Sequence, residues 1–299
     1  MHAEEFKRLK KIFIVSAGRT GTQFLSIAIP KLLPNCYAVH EPDKIDLHTL
    51  SLKEALRRCA KQGVIKLTLL KALGVSGTRN YSLKRLRKQI DADGVIKRII
   101  RDRTWIPSGY DTYVECNFQL FGLTRELLNF PNSQVVFIVR EPNAWASSWL
   151  RRGLFGDKDN MYKINILGLK RLTPANIGIE LSQWSQFTIS DKIYWTWCFL
   201  NQLFCDLNAE FPNKTSIFKF EKLFIDQDQE ELSRFLGKII PELSHETYVY
   251  KLKNLLMHKV NSSFQHEYGI KTIEPQPIHA ILESKMLMLK QRLGYSSVE

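Results

Sequence analysis

Seven consecutive residues, Ser16-Ala17-Gly18-Arg19-Thr20-Gly21-Thr22, bring together what an anion needs at close range. Gly18 and Gly21 let the main chain approach a ligand and adopt left-handed conformations. Arg19 offers a planar cationic fork, and Thr20 and Thr22 add hydroxyl donors. A second group lies at Arg140-Glu141-Pro142, followed by Ser147 and Ser148, with Arg140 and Ser148 eight residues apart. A third, His40-Glu41-Pro42, holds an imidazole and a carboxylate, either of which can take a proton from an alcohol or amine. Glu115 and Asn117 are further candidates for acceptor contact or proton transfer, because they stand just past a short β-like run.

These groups work only if the chain aims them at one point. Ile12-Phe13-Ile14-Val15 is a β-rich apolar run that stops at Ser16, and Phe24, Leu25, Ala28 and Ile29 then recur at helical spacing. Strand, tight turn and helix place the loop N–H groups and the positive end of the helix at one anion site. Val135-Val136-Phe137-Ile138-Val139 starts a second such unit, with Pro142 suited to the first helical turn. Thr112-Tyr113-Val114 and Ser216-Ile217-Phe218-Lys219-Phe220 predict two more strands. The expected fold is therefore α/β and P-loop-like in three layers, with a central parallel sheet of about five strands, helices on both faces and the site at the carboxyl ends of the strands. Residues 79–103 predict an amphipathic helical stretch with a basic face, and residues 153–178 a long loop or lid. Tyr194-Trp195 and Trp197 open a helix whose aromatic residues belong to the core. One domain over residues 1–299 is expected, with insertions around 44–110 and 153–178.

The balance of 43 Lys and Arg against 30 Asp and Glu gives a formal charge of +13, a field that gathers anions. Nucleic acid, an acidic membrane surface, a nucleotide and a charged glycan all satisfy that condition. The 5 cysteines are scattered without a Cys-x-x-Cys pair, suggesting neither a disulfide framework nor a zinc site. The polar start of the chain and its short first apolar run suit neither a signal peptide nor a membrane span, so a cytoplasmic location is expected, with at most peripheral contact with an acidic surface. The first loop lacks the Walker lysine and the GxGxxG spacing, which counts against an ATP-dependent P-loop kinase and a dinucleotide enzyme. A basic nucleic-acid or membrane-surface binder using residues 79–103 is the non-enzymatic alternative, although no specific nucleic-acid motif accompanies them.

A strand ending in Arg140, then Pro142, then the helical Ser148 resembles the 3′-phosphate-binding motif of the sulfotransferases that use 3′-phosphoadenosine-5′-phosphosulfate. Arg19-Thr20-Gly21-Thr22 is similar to their 5′-phosphosulfate loop. His40-Glu41-Pro42, the segment Phe220-Glu221 with Leu223, Phe235-Leu236-Gly237 and the closing Leu293-Gly294-Tyr295 also resemble family segments, closer to carbohydrate and bacterial members than to the cytosolic phenol and steroid enzymes, whose Gly-x-x-Gly-x-x-Lys is absent. The resemblance implies a nucleotide sulfate donor, a hydroxyl or amine acceptor and no metal. It assigns Gly18, Arg19, Thr20, Gly21, Thr22, Gln23 and Phe24 to the 5′ side of the donor, with Phe24 against adenine and Arg19 as catalytic charge stabiliser. Arg140 and Ser148 fall to the 3′-phosphate, the third contact to that phosphate is left open because Lys259 reads as a surface lysine before it reads as a substitute, and Glu41 is the first choice of general base, ahead of its neighbour His40. His258, His266 and His279 read as surface or packing residues.

Overall fold

The computed structural model describes residues 3–43, 77–103, 106–151, 155, 171–239, 246–268 and 279–295, with the main chain alone at residues 3 and 258–268. Residues 44–76 of the first expected insertion, 153–154 and 156–170 of the second, Cys59, and the side chains of His258, Lys259 and His266 lie outside the described residues.

Strands β1 (Lys10–Ser16), β2 (Cys36–His40), β3 (Thr112–Cys116), β4 (Ser133–Val139) and β5 (Thr215–Lys219) form one sheet in the order β2-β3-β1-β4-β5, every neighbour parallel. Ile12, Phe13, Ile14 and Val15 of β1 are all fully buried, because a central parallel strand is covered on both faces and needs no polar side. Their alternation divides the core. Phe13 and Val15 join Phe137, Trp145, Trp197 and Phe204 on one face; Ile12 and Ile14 join Leu25, Ile29, Ile138 and Phe235 on the other.

The helices follow this division. On the first face lie α1 (Ala3–Arg8), α3 (Thr78–Leu86), α4 (Ala92–Arg103), α5 (Pro142–Arg151), α6 (Ile189–Glu210) and α9 (Ala280–Arg292). On the opposite face lie α2 (Thr22–Leu32), α7 (Gln229–Ile239) and α8 (Glu246–Tyr268). The chain therefore leaves β1 toward one face and its neighbour β4 toward the other. A crevice opens between their ends, as at the switch point of any open α/β sheet.

Two elements depart from the sequence reading. Cys36–His40 is an edge strand paired with β3, an element that the sequence reading does not include. The basic stretch is two helices, α3 and α4, that bury Tyr81, Leu83, Val95 and Ile99 against the sheet and end in Arg103, whose side chain is wholly buried. Arg103 Nε and Nη2 donate to both oxygens of Glu115 at 2.9 and 2.8 Å, and Nη1 reaches Asp43 at 3.1 Å. Tyr113 Oη and Asn117 Nδ2 complete the Glu115 carboxylate at 2.6 and 2.8 Å. Burial and the Glu115 charge push the Tyr113 phenol far up, so it stays a donor.

Removing one member of such a buried pair strands the other charge. Arg103→Met is expected to cost about 3–5 kcal/mol by equilibrium urea unfolding, with Arg103→Lys recovering only part of the loss because an ammonium cannot form the two-pronged contact.

Candidate functional site

Backbone conformation builds the first loop. Gly18, Arg19 and Gly21 have φ of 83°, 59° and 73°, left-handed conformations of the kind from which main-chain anion nests are built. Ser16 Oγ accepts the Gly18 N–H at 3.0 Å, and Gly21 caps α2, whose first N–H groups and positive dipole end therefore begin where the loop ends. A Cβ on Gly18 would stand 2.9 Å from the Trp149 ring, so side-chain-free backbone is required there.

The second loop is locked to the first. Arg140 Nη1 donates to the Arg19 carbonyl at 2.9 Å, and Arg19 Nε donates to Ser148 Oγ at 2.8 Å. Trp145 Nε1 donates to the Gly18 carbonyl at 3.0 Å and Trp197 Nε1 to the Arg140 carbonyl at 2.9 Å, so indole groups absorb the carbonyls of both loops. The Arg140 guanidinium lies 4.5 Å from the Phe220 ring centroid. Arg19, Arg140 and Ser148 thus meet although 129 residues separate Arg19 from Ser148. A guanidinium carries five donors, so holding a loop and receiving an anion are compatible.

Two polar atoms beside this cluster point to an acceptor-rich ligand. Thr20 is 1% exposed, and among the described residues its Oγ1 has no hydrogen-bond partner, nor has the buried Trp149 Nε1. Folded proteins rarely leave such donors unsatisfied away from a binding function.

The third group approaches from β2. Glu41 is buried with φ of 42°, a left-handed conformation that a residue with a Cβ adopts only at a cost. Its N–H continues the ladder to the Cys116 carbonyl at 3.1 Å. His40 Nε2 stands 3.7 Å from Glu41 Oε1 and 3.5 Å from Thr22 Oγ1, which puts the Glu41 carboxylate one imidazole away from the first turn of α2.

Two sequence candidates, Glu115 and Asn117, fall elsewhere. Glu115 accepts four donors within the buried ion network, and Asn117 Oδ1 caps a short turn at Gln119 N, so both serve the scaffold. Phe24 is half-buried and packs edge-on against Phe224 at 6.1 Å, while Gln23 is exposed in the same turn. His279 packs against Phe187, as a packing histidine should. Cys36, Cys116, Cys198 and Cys205 are buried thiols, and burial pushes Cys36 and Cys198 up to about 12, far from thiolate chemistry. Among the described residues no group of three or more His, Cys, Asp or Glu could hold a metal ion, and no helix is long and apolar enough to cross a membrane. Sequence reasoning missed Trp145 and Trp197, whose indole donors read as core aromatics.

No protein-family model matches this sequence, and no curated protein matches it. Among solved structures the chain is similar to the "Sulfotransferase Domain from the Curacin Biosynthetic Pathway", at 16% identity over 95% of this chain and 97% of that one, with a TM-score of 0.46.

Gly21 tests the loop most directly, because a Cβ there would lie 2.8 Å from the Phe224 ring, which stacks on Phe220 beneath Arg140. Gly21→Ala is expected to cost about 1–3 kcal/mol through its left-handed backbone, measured by thermal unfolding. It should also weaken inorganic phosphate binding through the displaced Phe224–Phe220–Arg140 stack, measured by calorimetric titration.

Proposed function

We propose that the chain is a sulfotransferase whose donor is 3′-phosphoadenosine-5′-phosphosulfate and whose acceptor is a hydroxyl or amine, on a glycan or a lipid-linked or small-molecule alcohol. The observation that carries this reading is the cross-bonded cluster in which Arg19 meets Ser148 at 2.8 Å while Arg140 holds the Arg19 carbonyl at 2.9 Å. Two cationic forks at the head of two helices suit a ligand with two separate phosphate-like ends. The unsatisfied Thr20 hydroxyl and the side-chain-free approach at Gly18 fit it as well. The compartment in this reading is the cytoplasm, and residues 1–299 act as one domain.

Sulfuryl transfer joins sulfur to the acceptor atom and breaks its bond to the bridging oxygen, which leaves on the phosphate with the electron pair. Rate in such reactions comes from positioning and charge stabilisation more than from covalent chemistry. In this reading Arg19 and the N–H groups of Thr20, Gly21 and Thr22 hold the 5′ end and offset the charge that grows on the leaving oxygen, without a metal. Arg140 and Ser148 hold the 3′-phosphate, the group that distinguishes this donor from ATP. Gln23 and Phe24 lie in the helical turn beside the 5′ end, with Phe24 offered to adenine. Glu41 accepts the acceptor proton at its carboxylate, with His40 at 3.7 Å as the neighbouring imidazole.

Calorimetric titration with adenosine 3′,5′-bisphosphate, beside AMP and beside ATP with magnesium, tests the donor: the bisphosphate should bind ahead of both. Preference for ATP would hand the site to a kinase. Arg140→Ala should weaken bisphosphate binding by about 2–4 kcal/mol, on the order of 30-fold or more; unchanged affinity refutes the role of Arg140. Glu41→Gln should leave that affinity intact while slowing transfer at least about 100-fold, and equal turnover in the variant would move the base to another residue.

A further inference from the structure

Two sequence segments that the proposed chemistry leaves unused meet beside Arg140. The residues closing β5, Lys219-Phe220-Glu221, pack against the Leu293-Gly294-Tyr295 segment that follows α9. Tyr295 Oη donates to Glu221 Oε2 at 3.0 Å. The other oxygen of that carboxylate, Oε1, accepts the main-chain N–H of Glu141 at 2.9 Å. Glu141 directly follows Arg140, whose guanidinium stacks on Phe220, directly before Glu221. Lys219 Nζ donates to the Gly294 carbonyl and lies 5.0 Å from the Tyr295 ring centroid, so the same strand end holds both the residue before the phenol and the phenol ring. Burial, then the Glu221 carboxylate, push the Tyr295 phenol far up, with the Arg140 charge pulling the other way. The phenol therefore remains a donor throughout the ordinary pH range and lies within the electrostatic reach of Arg140.

We infer that Tyr295 is a positioning residue of the anion site, acting through Glu221 to fix the Arg140–Glu141 main chain. The inference rests on the reading that Arg140 receives the 3′-phosphate. A carboxylate beside an anion site is a liability, since it repels the ligand and competes for the cation. Holding one oxygen of Glu221 on a phenol and the other on a main-chain N–H engages its charge and turns it into a brace. The brace ties the site to α9, which docks on α6 through Leu282, Met286 and Leu289 and the Arg292–Asp206 ion pair.

Tyr295→Phe removes the hydroxyl alone and keeps the ring against Lys219. It is expected to weaken adenosine 3′,5′-bisphosphate binding about 5- to 10-fold, the loss typical of one net hydrogen bond. In a Glu221→Gln background the same change should add little, because both substitutions break one coupled path. Val95→Ala, a core truncation in α4 that touches neither α9 nor the phenol, is the control: it should lower the melting temperature and leave affinity unchanged. Equal affinity in Tyr295→Phe and the wild type, full additivity with Glu221→Gln, or the same affinity loss in Val95→Ala would each overturn the inference. Inorganic sulfate is titrated in parallel. Wild-type protein that binds sulfate without preferring the bisphosphate removes the donor reading, and the Tyr295→Phe ratio for sulfate then decides this inference alone. Binding of neither anion overturns both.

Discussion

Two parallel strands lying side by side open a gap at their carboxyl ends only if the chain leaves them toward opposite faces. Here β1 turns into α2 on one face and β4 into α5 on the other, and everything at the candidate site depends on that divergence. Right-handed crossovers make it unavoidable for this strand order, since β1 connects toward β2 and β4 toward β5, in opposite directions along the sheet. Without the gap, Arg19 and Arg140 would face separate helix surfaces. With it, two loops distant in sequence are close enough for one arginine to hold the other's carbonyl.

A crevice of this kind is lined by main chain, and main-chain polar groups buried from water must find partners. Trp145 and Trp197 meet that demand from the helices of the first face, each giving its indole N–H to a loop carbonyl. Their rings are wholly buried, so hydrophobic burial drives them into place and the hydrogen bond follows from the ring's position. The carbonyls of Gly18 and Arg140 are thereby held toward the core. The arrangement of the two arginine loops is in this sense a consequence of two tryptophans placed beneath them.

What the sequence discloses is local. Ile12-Phe13-Ile14-Val15 and 135–139 are unbroken apolar runs that only a strand covered on both faces can use, and Gly18, Gly21 and Pro142 mark turns by their own backbone limits, so β1, β4 and both loops are legible. β2 is not, because a short edge strand of mixed residues takes its conformation from β3. Arg103 reads as part of a basic face, because charge alone cannot distinguish a solvated arginine from a buried one. The signal lay twelve residues on, in Glu115: a carboxylate inside a doubly covered strand needs a buried cation, and Arg103 is the one it finds. The same pairing explains why Glu115 and Asn117, which stand where α/β enzymes place chemistry, are committed to the scaffold. Arg19 with Ser148 was readable only as two separate motifs, since their contact spans 129 residues.

The buried ion network also gives Glu41 its conformation. A left-handed φ of 42° at a residue with a Cβ persists only where flanking contacts leave no alternative. On one side the Glu41 N–H is tied to Cys116 as an extension of the sheet. On the other, Asp43 takes the Arg103 guanidinium on one oxygen and the Thr78 N–H on the other, at 3.1 and 2.5 Å. The turn between those two anchors is short, so Pro42 and Glu41 must accommodate the distance, and the carboxylate is set beside His40. Replacing Arg103, Glu115 and Asp43 by apolar residues of similar volume could preserve or even raise stability. It would also release one anchor of the turn. The network's role is then best judged by where it holds Glu41, and less by the free energy it contributes.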